Sequence, residues 1–405
     1  MSPGSSGSGR RTDGRTAKKE RKKEKVKNSM TRQVRCGGVA IGGGAPVSIQ
    51  SMTNVDSRDE KALLEQIARL EDAGCQIVRM AVPDRESAEV LGRVRRKIHI
   101  PLVADIHFDY RLAIAAIEAG ADKVRINPGN IGSTDRVRAV VDAARQRGIP
   151  IRVGVNSGSL EKEILQKHGG VTAEGLAESA LRNLRMIEDM DYDNLVVSLK
   201  SSDVRMNYEA HKILAAATDH PVHIGITEAG TPGRGKVKSA VGIGSLLLEG
   251  IGDTMRVSLT ADPVEEVYFA KEILRSLGLR KSAVNLVSCP TCGRTKIGLE
   301  ALAEKLEREL DRIEEMRSAQ AQKTGRMLRP ITVAVMGCAV NGPGEAREAD
   351  FGVAGGDGKG LLFSRGEIVG SVPEEDIIPA LLQMIEEETR KELQNESQSE
   401  GNGQV

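Results

Sequence analysis

Between Val47 and Leu277 short β-branched runs alternate with longer amphipathic stretches, and this alternation restricts the chain more than any other feature. Strand and helix in strict turn call for parallel pairing with crossover helices. Eight such units can be marked, with strands expected at 47–50, 77–81, 102–104, 123–126, 151–155, 195–198, 222–226 and 254–258. Helices are expected over 59–73, 86–97, 110–119, 134–147, 172–190, 208–217, 240–249 and 263–277. Gly74, Gly120, Gly148 and Gly250 stand just after four of these helices, where a left-handed residue ends a helix before the next strand. Eight strand-helix units in about 250 residues is the size of a TIM (β/α)8 barrel. An open doubly wound sheet is the alternative. It is weakened because Gly42-Gly43-Gly44 precedes the first strand, as a turn, and no G-x-G-x-x-G follows it.

Past Leu277 the rhythm changes. A strand at 285–288 runs into Cys289-Pro-Thr-Cys292, a charged helix is expected over 297–316, a polar loop over 319–330, and a buried strand at 331–336 leads to Cys338. Glycine-rich segments at 351–354, 360–363 and 367–372 predict a small antiparallel ribbon, and a last helix covers 374–393 with frayed polar sequence after Asn395. The expected organisation is a disordered basic tail (1–29), a substrate-binding barrel (30–280), a smaller α+β domain (281–394) and a disordered tail (395–405).

The thiols of Cys289 and Cys292, three positions apart, can grip one metal centre, and Cys338 in Met-Gly-Cys-Ala-Val-Asn-Gly-Pro-Gly-Glu is a third candidate. Glycine and proline beside each hold a loop open and turn backbone N–H groups inward, as around cluster sulfurs. A closed zinc site wants four ligands, and neither a second C-x-x-C nor a histidine pair follows. Three thiolates and one weaker ligand suit an iron–sulfur cluster with one reactive iron. Cys36, ahead of the barrel, and Cys75, at the start of the second strand, read as structural. The fourth position is then vacant or filled by a nearby oxygen. Glu345 is the available carboxylate, although a glutamate after Gly-Pro-Gly is more often a solvated helix start.

Barrel chemistry is built at the carboxyl ends of the strands. Those positions hold Gln50, Ser51 and Asn54; Arg79; Asp105 and His107; Arg125 and Asn127; Asn156 and Ser157; Lys200, Ser201 and Ser202; Glu228; and Arg256 with Ser258. An arginine in an apolar strand is costly to bury without an anion. Arg79, Arg125, Arg256, Lys200 and His107 outnumber Asp105 and Glu228, so the mouth reads as a site for a diphosphate or another polyanion. Internal neutralisation of the arginines by Asp105 and Glu228 is the alternative. Glu228 is either such a partner or an acid or base beside the bound anion.

Composition excludes other classes. The formal charge of +1 conceals a tail, residues 1–29, with ten Lys or Arg against Asp13, Glu20 and Glu24, so the tail is +7 and the remainder −6. With four Phe, four Tyr and no Trp the chain lacks the aromatic platforms that stack on single-stranded nucleic acid, and no nucleic-acid role is expected. Five cysteines, an odd number, make no disulfide framework, and no apolar run reaches membrane-spanning length. The chain reads as soluble and cytoplasmic.

Six stretches together resemble the 4-hydroxy-3-methylbut-2-enyl diphosphate synthase family. They are Gly-Gly-Gly-Ala-Pro-Val-Ser-Ile-Gln-Ser-Met-Thr-Asn, Ala-Asp-Ile-His-Phe, Lys-Val-Arg-Ile-Asn-Pro-Gly-Asn, Val-Ser-Leu-Lys-Ser-Ser, Ser-Cys-Pro-Thr-Cys-Gly-Arg-Thr and the Cys338 segment. The resemblance runs from Met30 to about Leu393. It implies reductive ring-opening and dehydration of 2-C-methyl-D-erythritol 2,4-cyclodiphosphate in the methylerythritol phosphate route to isoprenoids. It implies a [4Fe-4S] cluster held by Cys289, Cys292, Cys338 and Glu345, and flavodoxin or ferredoxin as electron donor. Arg79, His107, Arg125, Asn127, Lys200, Arg256 and Ser258, with Asp105 and Asn156, would form the substrate site. Glu228 would handle protons, and Asn341 would hydrogen-bond near the cluster. Members of this shorter bacterial type are homodimers in which one chain's cluster domain covers its partner's barrel mouth.

Overall fold

The computed structural model describes residues 31–280, 283–324, 328–338 and 347–399. They form two compact units divided between Arg280 and Lys281.

The first unit opens with an antiparallel hairpin, β1 (Val34–Cys36) and β2 (Val39–Ile41). Eight parallel strands follow: β3 (Ser48–Met52), β4 (Ile77–Ala81), β5 (Leu102–Asp105), β6 (Lys123–Ile126), β7 (Ile151–Asn156), β8 (Leu195–Lys200), β9 (His223–Ile224) and β10 (Thr254–Met255). Their order is β8-β7-β6-β5-β4-β3-β10-β9, and a bridge from Val197 to Val222 brings the last strand back to β8. The sheet is a barrel, as the alternation predicts.

Local chemistry sets the helices. Asp59 caps α1 (Glu60–Asp72) by accepting from the Ala62 N–H at 3.0 Å, worth about 1 kcal/mol. Leu63, Ile67 and Leu70 then recur at helical spacing and pack on the strands. Around the ring follow α2 (Arg85–Arg95), α3 (Tyr110–Ala119), a short α4 (Pro128–Ile131), α5 (Thr134–Arg147), α6 (Lys162–His168), α7 (Ala173–Glu188), α8 (Val204–Ala217), α9 (Pro232–Leu248) and α10 (Pro263–Ser276). Gly74, Gly120, Gly148 and Gly250 all take positive φ, as their positions predict. The hairpin, α4 and α6 go beyond the expected elements. Helix α9 begins eight residues before the expected 240, because Gly233 and Gly235 blur its apolar stripe while Pro232 fits the first turn.

The apolar core lies between strands and helices, in residues such as Val78, Leu102, Val124 and Leu195. Inside the barrel, only the amino-terminal end is apolar. There Ile77, Val103 and Val196 pack against Val34, Cys36 and Ile41, so the hairpin plugs that end.

The second unit is a five-stranded sheet in the order β11 (Val284–Ser288), β12 (Ile331–Met336), β13 (Phe351–Gly356), β14 (Lys359–Ser364), β15 (Glu367–Pro373). β11, β12 and β13 pair in parallel, whereas β13, β14 and β15 are antiparallel. The expected ribbon is therefore one half of a continuous mixed sheet. Leu306, Leu310 and Ile313 of α11 (Leu299–Thr324) and Leu381 and Ile385 of α12 (Ile377–Ser399) cover one face. α11 runs eight residues beyond the expected 316, into the stretch read as a polar loop, and α12 continues past Asn395. Polar composition alone does not break a helix that is already nucleated.

Candidate active site

Side chains two apart on a strand face the barrel axis together. Arg79, Asp105, Lys123, Arg125, Arg152 and Lys200 share that phase, and all are buried. Asp105 is the hub: its carboxylate lies 3.3 Å from Arg125 Nη1, 3.9 Å from Arg79 Nε and 3.7 Å from His107 Nε2. Burial works to raise the Asp105 carboxyl, but Arg79 and Arg125 outweigh it and bring it down to about 2.

Arg256 is paired elsewhere. Its Nε and Nη2 each lie 3.2 Å from an oxygen of Glu266, a buried residue in the first turn of α10. Glu266 also accepts from the Leu259 N–H at 3.0 Å and the Ser51 hydroxyl at 3.3 Å. Met52 Sδ, a weak acceptor, takes Arg79 Nη2 at 3.0 Å and Arg256 Nη1 at 3.6 Å. Two cations thus share a neutral partner in addition to their carboxylates, Asp105 near Arg79 and Glu266 on Arg256.

Two glycines make room for the cations. A Cβ on Gly154 would lie 2.4 Å from Arg125 Nε, and one on Gly225 would lie 2.9 Å from Lys200 Nζ. Lys200 has no ion pair among the described residues, and burial, then Arg79 and Arg256, drives its ammonium well below the ordinary lysine range. Asn156 closes on Arg125: with its amide oxygen turned inward it accepts from Nη2 at 3.3 Å. Asn127 accepts from the Gly129 N–H at 3.2 Å and caps α4, Ser258 is half-buried beyond β10, and His107 is exposed.

Glu228, beyond β9, is exposed and holds a left-handed backbone at φ 53°, a strained state for a residue with a side chain. It has no ion pair among the described residues. The alternative in which Glu228 neutralises the arginines is therefore corrected: Asp105 and Glu266 do so. Glu266, Met52, Lys123 and Arg152 were not singled out from the sequence. The first sits in a helix behind the sheet, whereas Lys123 and Arg152 fall near strand starts, although period-two phasing from Arg125 would have pointed both inward.

In the second unit β11 and β12 run side by side, with Ser288 opposite Val335, so Cys289 and Cys338 follow the carboxyl ends of neighbouring strands. The Gly337 N–H donates to Cys289 Sγ at 3.2 Å. The Cys292 N–H donates to Thr295 Oγ1 at 3.2 Å, and the Thr295 N–H returns to the Cys292 carbonyl at 3.0 Å, which fixes the C-x-x-C turn. Hydrogen bonds from the Arg294 backbone and side chain lower the Cys292 thiol. Cys36 and Cys75 are buried in the barrel unit, as expected of structural residues. Among the described residues no group of three Cys, His, Asp or Glu is placed to hold a metal ion. Asn341 and Glu345 lie outside the described residues.

The GcpE TIM-barrel domain matches residues 31–271, and the GcpE protein C-terminal domain matches residues 285–387. This chain belongs to the GcpE family. The inward-facing cations all fall in the first GcpE match, and Cys289, Cys292 and Cys338 in the second. A 4-hydroxy-3-methylbut-2-en-1-yl diphosphate synthase (flavodoxin) of Caldanaerobacter subterraneus subsp. tengcongensis is 53% identical over 363 residues, 90% of this chain and 98% of that protein. Proteins of the same name from Geobacter sulfurreducens and Geobacillus thermodenitrificans are 56% and 52% identical, over 88% and 94% of this chain and 97% and 99% of theirs. Among solved structures, 7,8-dihydropteroate synthase of Vibrio fischeri ES114 aligns at a TM-score of 0.45 and 10% identity, over 61% of this chain and 98% of that one, a likeness that carries no argument about function.

Proposed function

We propose that this GcpE protein converts 2-C-methyl-D-erythritol 2,4-cyclodiphosphate to (E)-4-hydroxy-3-methylbut-2-enyl diphosphate, with two electrons from a flavodoxin and release of one water. The observation that carries the reading is the set of buried cations around the barrel axis. Arg79 and Arg125 share Asp105, Lys200 has no ion pair among the described residues, and half-buried Arg256 is set beside them by Glu266, an excess of positive charge that an incoming diphosphate completes.

The chemistry of the donor set supports an iron–sulfur cluster as the cofactor. Cys289 and Cys338 leave neighbouring parallel strands, Cys292 follows in a fixed turn, and the Gly337 N–H already points at a thiol sulfur. Cys289, Cys292 and Cys338 would hold a [4Fe-4S] cluster with Glu345 as fourth ligand. Such a cluster supplies electrons one at a time. The protein's own part is electrostatic and geometric. Arg79, Arg125 and Arg256 clamp the diphosphate, and Lys200, with Ser258, Asn127 and Asn156, binds its remaining oxygens. Asp105 and His107 keep Arg79 and Arg125 aimed at the axis. Glu228, strained and at the mouth, donates the proton that lets the C3 oxygen leave as water. Asn341 would hydrogen-bond near the cluster. A second copy closing its cluster unit over the mouth would exclude water from the reduced intermediate. No described helix is long and apolar enough to cross a membrane, and a cytoplasmic location is part of this proposal.

The deciding experiment is anaerobic turnover of the cyclodiphosphate by iron- and sulfide-loaded enzyme with reduced flavodoxin. Product containing the linear diphosphate is expected. A loaded enzyme that binds the cyclodiphosphate but never opens it would overturn the reading.

A further inference from the structure

Below the arginines that face the mouth lies a second group of polar side chains with no assigned role. Ser48 and Gln50 of β3, Lys123 of β6, Arg152 of β7, His223 of β9 and Thr254 of β10 are all at most 1% exposed. Gln50 and Lys123 stand two residues before Met52 and Arg125 on their strands, and Arg152, paired with Arg125, is set lower on the axis by the stagger of a tilted barrel, so these side chains lie between the Arg79–Arg125 level and the hairpin plug. Arg152 Nη1 reaches across the barrel to Gln50 Oε1 at 3.3 Å. That is the only hydrogen bond found among these side chains. Lys123 Nζ, Arg152 Nε, Gln50 Nε2, both ring nitrogens of His223 and the hydroxyls of Ser48 and Thr254 have no partner among the described residues.

A buried ammonium with no partner, and a buried guanidinium with a neutral amide as its one partner and no counter-charge, are too costly to persist alone. Charge accounting points the same way. Arg79, Lys123, Arg125, Arg152, Lys200 and Arg256 are six cations, and Asp105 and Glu266 two carboxylates, an excess of four. A cyclic diphosphate at the mouth carries about two negative charges and meets the upper four cations. Lys123 and Arg152 remain. Water could fill the space, but water both donates and accepts, whereas the free groups here are mostly donors and carry positive charge.

We propose that the lower barrel holds one small inorganic anion of halide size, bound by Lys123 Nζ and Arg152 Nε, with Gln50 Nε2 and the Thr254 hydroxyl completing its shell. The anion offsets one of the two deep positive charges and gives both cations a shared partner, so the barrel is folded and closed beneath the mouth before substrate arrives. The upper cations stay free for an exchangeable ligand. Burial already lowers Lys123 to about 8 and Arg152 well below the arginine range, the direction expected of cations lacking a counter-charge, although the guanidinium keeps its proton.

The test is long-wavelength anomalous diffraction from crystals of the cluster-loaded full-length enzyme purified throughout in chloride. A chlorine peak on the axis within about 3.5 Å of Lys123 Nζ and Arg152 Nε is expected, and it should vanish in Lys123→Met and in Arg152→Met. Should one variant fail to fold, the other suffices. Oxygen-scale density without an anomalous signal, meaning water only, overturns the proposal. So does a peak that survives in a folded variant.

Discussion

Arg256 and Glu266 face one another end to end, Nε and Nη2 each 3.2 Å from a carboxylate oxygen, although one residue follows a barrel strand and the other begins the helix behind it. The pair aims a cation at the mouth from outside the barrel. Glu266→Ala should leave Arg256 without its anchor and raise KM for the cyclodiphosphate about tenfold, about 1.4 kcal/mol of binding. It should also lower unfolding stability by about 3 kcal/mol, as breaking a buried pair does. Glu266→Gln, which still accepts from the Leu259 N–H, should recover part of the stability. Unchanged KM in a folded Glu266→Ala enzyme would show that Arg256 does not touch the diphosphate.

Gly154 gives a second handle on the same surface. Because its missing Cβ is the space that Arg125 Nε fills, Gly154→Ala should displace the guanidinium, weakening diphosphate binding by about tenfold or more with iron content unchanged. Isothermal titration with the cyclodiphosphate reads this directly. Full affinity in the variant would mean that Arg125 relaxes without loss.

The pH dependence of barrel stability follows from Asp105, depressed from 3.8 to about 2 against the opposing effect of burial. A carboxyl depressed by folding contributes stability above its unfolded value, and that stability drains away as pH falls through the folded value. The window therefore runs from about pH 4 down to about 2, and the contribution at neutral pH is about 2 kcal/mol. Asp105→Asn should cost at least that much at pH 7 and much less at pH 2. Urea melts at both values measure it, and an equal loss at both would remove Asp105 from the acid response.

For the thiols, Cys338→Ser and Cys289→Ser should each abolish the brown colour and turnover together, while Glu345→Ala should retain iron but lose it faster in air. Iron and sulfide per chain, with visible absorption under anaerobic conditions, give the answer. Colourless wild-type protein carrying one zinc would exclude the redox chemistry.

Much of the site was legible as position. Arg79, Asp105, Arg125, Lys200 and Arg256 could be named because strand ends are readable from β-branched runs, and the barrel places active groups there. Partnership was not legible. Asp105 meets Arg125 at matched register on one neighbouring strand and Arg79, two residues before its register partner Ala81, on the other, whereas Glu266 comes from ten residues beyond Arg256 and looks like any acidic first-turn residue. The hairpin was missed because three-residue strands give no periodicity, and the mixed sheet because pairing between β12 and β13 joins segments that each read as complete.

By itself the sequence determined the kind and order of the elements, because hydrophobic period and helix-ending glycines are local properties of the chain. It also determined which polar side chains stand at the carboxyl ends of the strands. Only the tertiary structure decided which cation has which counter-charge, since that depends on strand register and on helices packed from outside. It alone revealed that the barrel's lower axis carries Lys123 and Arg152 without a carboxylate partner among the described residues, because burial belongs to the closed barrel and to no single strand.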